Sequence, residues 1–179
     1  MKNDCEYTVD AEEAQATVYI VGHADYLNCA PLRKFLDFTT GTPRYAEVIL
    51  DFSRCTSIDS TALGIIARAA LRLRQEKGRR VVLTNLRNGP LRAATQLGLG
   101  HLAGIEDSPE VARRFTPPPF PLREADPVQG VSAETIRDAH EALMEIEPRN
   151  REIFADVMSF IGASKRFPPR VETPAADPA

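Results

Sequence analysis

The run Glu47-Val-Ile-Leu-Asp-Phe52 carries apolar side chains on consecutive positions rather than alternate ones. Side chains along a strand point to opposite faces in turn, so a strand of this kind must be covered on both faces. That requirement calls for a sheet with helices packed on it, and the neighbouring sequence supplies both. Thr17-Val-Tyr-Ile-Val21 reads as a strand closing at Gly22, with Tyr7-Thr-Val9 as a short strand before it. Ala30 to Phe38 places Leu32, Phe35 and Leu36 at helical spacing, with Pro31 in the first turn and Asn28 as its expected cap. A longer helix from about Ser60 to Gln75 lines up Leu63, Ile66, Ala67, Ala70 and Leu71 on one face. Arg80-Val-Val-Leu-Thr84 is the next strand, Asn88-Gly-Pro opens a further helix, and Ser108-Pro109-Glu110 combines a cap, a first-turn proline and an acid at a helix start. The expectation is an α/β domain over residues 1–115, a four- to five-stranded mixed sheet with helices packed on it.

Thr116-Pro-Pro-Pro-Phe-Pro121 cannot continue a helix, and residues 116–131 read as a Pro-rich linker. Residues 132–162 then read as a pair of amphipathic helices separated at Pro148. Ser132 to Ile146 puts Ile136, Ala139, Leu143 and Met144 on one face, and Pro148 to Ile161 does the same with Ile153, Phe154, Val157, Met158 and Ile161. Helices this short are marginal alone. Their packing residues, Ile136, Leu143, Phe154, Val157 and Ile161, therefore call for a cover, either the main domain or a second copy in a homodimer. Residues 163–179, rich in Pro and Ala, read as a disordered tail.

Composition narrows the function classes. A net charge of −3 gives no polyanion-seeking surface, and the cluster Arg68, Arg72, Arg74, Lys77, Arg79 and Arg80 lacks the interleaved aromatics of a nucleic-acid face. It reads as a solvated face, or as a docking surface for the acid-rich C-terminal helices or another acidic partner. Apolar runs are strand-sized, and Met1-Lys2-Asn3-Asp4 is not followed by an apolar stretch, so neither a membrane span nor a secretory leader is expected. Cys5, Cys29 and Cys55 are scattered, which argues for reduced thiols in a cytoplasmic protein rather than for a disulfide or metal framework. No metal or cofactor motif is present. Nor is there a G-x-S-x-G elbow, and His23, His101 and His140 sit in no motif, so an enzyme is not expected. His23 follows the second strand and is the histidine expected near Ser60.

The stretch Asp51-Phe-Ser-Arg-Cys-Thr-Ser-Ile-Asp-Ser-Thr-Ala-Leu-Gly64 runs from a buried strand through a polar loop into a helix. On position alone, Asp59 or Ser60 is an N-cap, contributing about 1 kcal/mol. Taken with Val21-Gly-His-Ala-Asp25, Leu32 and the passage from Thr95 to Ile105, the stretch resembles the STAS domain of anti-sigma factor antagonists over about residues 5–115. That family carries Asp-Ser-Ser-Gly-Leu-Gly where this chain has Asp59-Ser-Thr-Ala-Leu-Gly64. The resemblance implies that Ser60 is the phosphorylated residue, with Thr61 as second choice, and that Asp25, Asp59, Ser60, Thr61 and Leu63 form the partner-binding surface. It further implies an anti-sigma factor that is also a serine kinase, and a phosphatase, as partners. Unphosphorylated protein would sequester the kinase, and phosphorylated protein would release it with its own fold nearly unchanged. Two departures stand out: Thr61 keeps a hydroxyl, whereas Ala62 adds a methyl where the family leaves backbone room. Two other readings accompany this one, a STAS scaffold that is never phosphorylated and a STAS domain that senses a nucleotide or lipid. Family members also act on outputs other than sigma factors, such as biofilm formation or secretion.

Overall fold

A computed structural model describes residues 5–113, 120–122 and 130–164 of the chain. The first strand, β1 (Cys5–Ala11), pairs antiparallel with β2 (Gln15–Ala24), and helix α1 (Ala30–Gly41) leads on to β3 (Glu47–Ile58). Helix α2 (Ser60–Arg74) follows, then β4 (Arg80–Thr84), α3 (Asn88–Gln96), β5 (Gly104–Glu106) and α4 (Pro109–Arg113). Strands β2 to β5 run parallel, with Val18 opposite Leu50 and Leu50 opposite Leu83.

Consecutive burial of β3 has the consequence its composition required. Val48, Leu50 and Phe52 enter the main core with Val18, Ile20, Val81 and Leu83, whereas Ile49 joins Tyr19, Val82 and Val111 in a smaller cluster. Val111 of the short α4 supplies the helical member of that second cluster.

The expected α/β architecture is present, with one addition. Phe120–Pro121 forms a two-residue strand, β6, antiparallel to β1 at the sheet edge, so the order is β5-β4-β3-β2-β1-β6. This stretch was expected as linker. It lies against β1 because that strand otherwise offers an open row of backbone donors and acceptors, and an edge position tolerates proline. The backbone N–H of Leu122 continues the contact, donating to the carbonyl of Tyr7 at 2.8 Å. Residues 114–119 and 123–129, with the expected domain boundary at 115 and most of the linker, lie outside the described residues, as do residues 165–179 of the expected tail.

The C-terminal helices depart from a simple pair. Helix α5 (Ala133–Ile146) has the expected Ser132 cap, whose hydroxyl accepts from the backbone of Thr135. The second expected helix is broken into α6 (Asn150–Ile153) and α7 (Ala155–Ser164) at Phe154. The break turns Phe154 and Ile161 inward and leaves Ile153 and Val157 on the outside. Val157, expected as a packing residue, is 37% exposed, whereas Leu143, Phe154 and Ile161 are buried and Ile136 is half-buried. Helix α7 also continues through Ser164, past the expected end at 162. Among the described residues, no helix is long and apolar enough to cross a membrane.

Candidate functional site

Strand β3 delivers Asp59 and Ser60 to the carboxyl end of the sheet, where open α/β sheets place their sites. Asp59 is extended at φ −90° and ψ 171°, the conformation an N-cap requires. One of its carboxylate oxygens accepts from the backbone N–H of Ala62 at 2.8 Å, the other from that of Tyr26 at 2.9 Å. The cap thus starts α2 and ties it to the loop between β2 and α1. Burial pushes the Asp59 carboxyl above its ordinary range and the nearby charge of Asp25 adds to that, while the backbone donors of Ala62, Tyr26 and Thr61 oppose it.

The β2–α1 loop is held by its own side chains. Asp25 accepts from the backbone of Leu27 at 2.9 Å, and Asn28 accepts from the backbone of Asp25 at 2.9 Å and from the Tyr7 hydroxyl at 3.1 Å. Asn28 therefore organises the loop, and the N-cap of α1 is Cys29 rather than Asn28. His23 contacts Ser57 through Nδ1 and stands 3.2 Å from Asp25 through Nε2.

The histidine that reaches Ser60 is His140, eighty positions away on α5, with Nε2 3.0 Å from Oγ. The other ring nitrogen, Nδ1, lies 2.7 Å from the carbonyl oxygen of Ile136. A carbonyl can only accept, so Nδ1 carries a proton; in the neutral ring Nε2 then presents its lone pair, and the Ser60 hydroxyl donates. His140 is 2% exposed and meets the ring of Phe154 edge-on, with centroids 4.5 Å apart.

Helix α5 as a whole lies along α2 over this point. The two backbones come close at Gly64, one turn beyond Ser60, where a Cβ would fall far inside contact distance of the Ala139 backbone. A turn further on, Arg68 pairs with Asp138 at 3.4 Å. Arg33 of α1 donates to the Thr135 hydroxyl, and the Val131 N–H donates to the carbonyl of Tyr26 at 2.8 Å. Of the residues expected to bind a partner, Asp25, Asp59 and Ser60 are half-buried here, while Thr61 and Leu63 are buried. The sequence pointed to the main domain as one cover for these helices and to Arg68 within a docking surface for them, but not to their seat over Ser60 and Gly64, because those contacts join positions 60 and 64 to 139 and 140.

The basic cluster divides by role. Arg68 is a docking residue for α5, and Arg72 pairs with Asp37 of α1 at 3.2 Å. Arg79, expected on a solvated or docking face, is instead an internal fastener: its guanidinium donates to the carbonyls of Thr39, Thr40, Thr42 and Tyr45. The thiols fit a structural role. Burial pushes Cys5 up to about 11, and Cys29 and Cys55 up to about 12. Among the described residues there is no group of three or more His, Cys, Asp or Glu side chains placed to hold a metal ion. A cavity of about 930 Å³ lies at the other end of the strands, lined by Glu12, Gln15, Glu47, Arg79 and Arg80 among others, away from Ser60.

A mixed sheet with an acid-capped serine at the carboxyl end of a central strand is the arrangement of a STAS-type regulatory domain. A family model described as "Mlab, STAS domain" matches residues 7–105, more than half of the chain, and the chain belongs to that family. Two solved structures share the fold. The anti-sigma factor antagonist SpoIIAA in its unphosphorylated form is 18% identical, with a TM-score of 0.51 over 61% of this chain and 93% of that one. An anti-sigma factor antagonist from Mycobacterium paratuberculosis is 16% identical, with a TM-score of 0.53 over 64% of this chain and 95% of that one. No curated protein matches the chain. Helices α5 to α7 lie beyond the residues that the family model matches.

Proposed function

We infer that the chain is a phosphorylation-switched protein-binding module. Unphosphorylated, its Ser60 face sequesters a partner of the anti-sigma factor and serine kinase type; phosphorylated, it lets that partner go. The observation that carries this reading is the placement of Ser60 at the first position of α2, directly after the Asp59 cap and beside the Asp25 loop. A phosphate there adds nearly two negative charges and three acceptor oxygens. The helix N-terminus favours an anion, so the start of α2 tolerates it. A docked partner would face a desolvated charge lacking a cation, which opposes binding. A phosphatase would reset the switch.

Incubation of the chain with ATP and an extract of its native cell, followed by mass spectrometry, tests the reading. Phosphate is expected on Ser60, with partner capture strong for Ser60→Ala and weak for Ser60→Asp. Phosphate confined to other residues, or equal capture by both variants, rules the switch out. One observation favours a second reading, a STAS scaffold that is never phosphorylated: the hydrogen bond to His140 already gives the Ser60 hydroxyl a structural role. The same experiment separates the two, because a scaffold leaves Ser60 unmodified.

A further inference from the structure

The cover over Ser60 is made by the chain itself, and its chemistry depends on the hydroxyl proton. We propose that the face formed by the start of α2 and the β2–α1 loop is a helix-docking surface whose resident occupant is α5, and that a seated α5 and a phosphorylated Ser60 exclude one another. The proposal rests on Ser60 as the modified residue and adds what that modification does within the chain.

The surface selects its occupant residue by residue. The row Ser60, Gly64 and Arg68 lies at i, i+4 spacing, one stripe along α2. Opposite Gly64 the occupant must bring a backbone close, and α5 does so at the small residue Ala139. Opposite Arg68 it offers the acid Asp138, opposite Arg33 the hydroxyl of Thr135, and opposite Ser60 the lone pair of His140. Ahead of the helix, Val131 fastens the incoming chain to Tyr26 beside Asp25. A partner using this face must therefore displace α5, and the helix it brings needs the same small residue at the crossing.

Phosphorylation breaks the match at Ser60, one turn from the close crossing at Gly64. Transfer from a nucleoside triphosphate forms an Oγ–P bond and cleaves the bridging P–O bond of the γ-phosphate. The nucleoside diphosphate leaves, and the hydroxyl proton passes to a kinase base or water. That proton is the one donated to His140. Its loss leaves the Nε2 lone pair facing phosphate oxygens, which in the dianion only accept. The new charge also stands beside Asp59, whose ionised form burial and Asp25 already disfavour. Space is short as well, since His140 is buried against Phe154 and α5 rests on Gly64. The fold is thus not indifferent to the phosphate, as the sequence alone suggested. The sheet is spared, and the extension responds.

The test is amide hydrogen exchange on the full chain with phosphoserine installed at position 60 during synthesis, which needs no cognate kinase. Amides of α5 from 137 to 146 are expected to lose at least about tenfold in protection while β2, β3 and β4 keep theirs. Ser60→Ala, which removes the donor without adding charge, is expected to change α5 much less. Gly64→Ala raises the helix propensity of α2 but collides with Ala139, so it should release α5 with Ser60 intact and expose that hydroxyl to faster phosphorylation. Unchanged α5 protection in the phosphoserine chain, for example through a protonated His140 that grips the phosphate, overturns the proposal. So does a loss spread equally through the sheet. If the installed phosphate frees α5 but Ser60 is left unmodified by the cell extract even in Gly64→Ala, the switch reading fails and the mutual exclusion stands.

Discussion

At the scale of single residues, Asp59 does two jobs, and they can be separated by pH. As a cap it satisfies the N–H groups of Ala62 and Tyr26, so Asp59→Ala is expected to lower stability by about 1–2 kcal/mol in urea denaturation. As an acid its pKa is raised in the folded chain, chiefly by burial. A raised carboxyl pKa means the folded state binds the proton more readily than the unfolded state. Its contribution therefore increases as pH falls through the folded pKa and is absent well above it. The stability of wild type relative to Asp59→Asn should accordingly shift in favour of wild type as pH falls from 7 toward 4. A difference that stays flat, or moves the other way, would show that the carboxyl is not ionised against resistance. The cap was legible in the sequence because capping is local, an acid directly before an apolar helical stripe. The hydrogen bond from Ser60 to His140 was not, since no short-range pattern joins partners so far apart, and His140 lies in an ordinary amphipathic stretch.

At the scale of elements, the same contrast separates α1 from the C-terminal helices. The body of α1 follows from its spacing, but its end depends on Arg79, which comes from the turn before β4 and reaches carbonyls at the close of α1 and in the loop after it. A cation in a basic cluster looks solvated in sequence. Only the fold reveals that these carbonyls, left over at a helix end, point at it. Arg79→Met keeps the aliphatic stem and removes every donor, and it is expected to cost about 3 kcal/mol, measured by chemical denaturation. A loss below about 0.5 kcal/mol would place Arg79 among ordinary surface charges. The break at Phe154 was hidden for a related reason. The apolar period from Pro148 to Ile161 suits one continuous helix, yet the buried Asn150 holds its end in place by donating to the carbonyls of Leu143 and Leu97, at 2.7 and 3.1 Å. The chain then turns at Phe154 to bring that ring under His140. Phe154→Ala is expected to cost about 3–5 kcal/mol, read as lost hydrogen-exchange protection in α5 and α7 before any loss in the sheet.

At the scale of the whole molecule, α2 is the element on which the sheet and the extension meet. Every residue from Thr61 to Ala67 is buried, although a helix resting on a sheet alone would keep one polar face toward water. The sequence shows the cause in outline, since the apolar and small residues Ala62, Leu63, Gly64, Ile65, Ile66 and Ala67 run without a polar interruption. What it does not show is which element provides the second cover. The structure assigns that role to α5, and Leu143 and Phe154 belong to the same core as Val18 and Leu50. It follows that a chain with α5 released presents an apolar stripe that needs a new cover, either a partner helix or a second copy. In Gly64→Ala, with no partner present, self-association should therefore increase with concentration, seen in sedimentation equilibrium as a rise in average mass above that of the unmodified chain. Dye binding to exposed apolar surface should rise with it. If Gly64→Ala sediments and binds dye as the unmodified chain does, the small residue at the crossing is not what seats α5, and the cover on α2 must be held by polar contacts such as Arg68–Asp138 and Ser60–His140 instead.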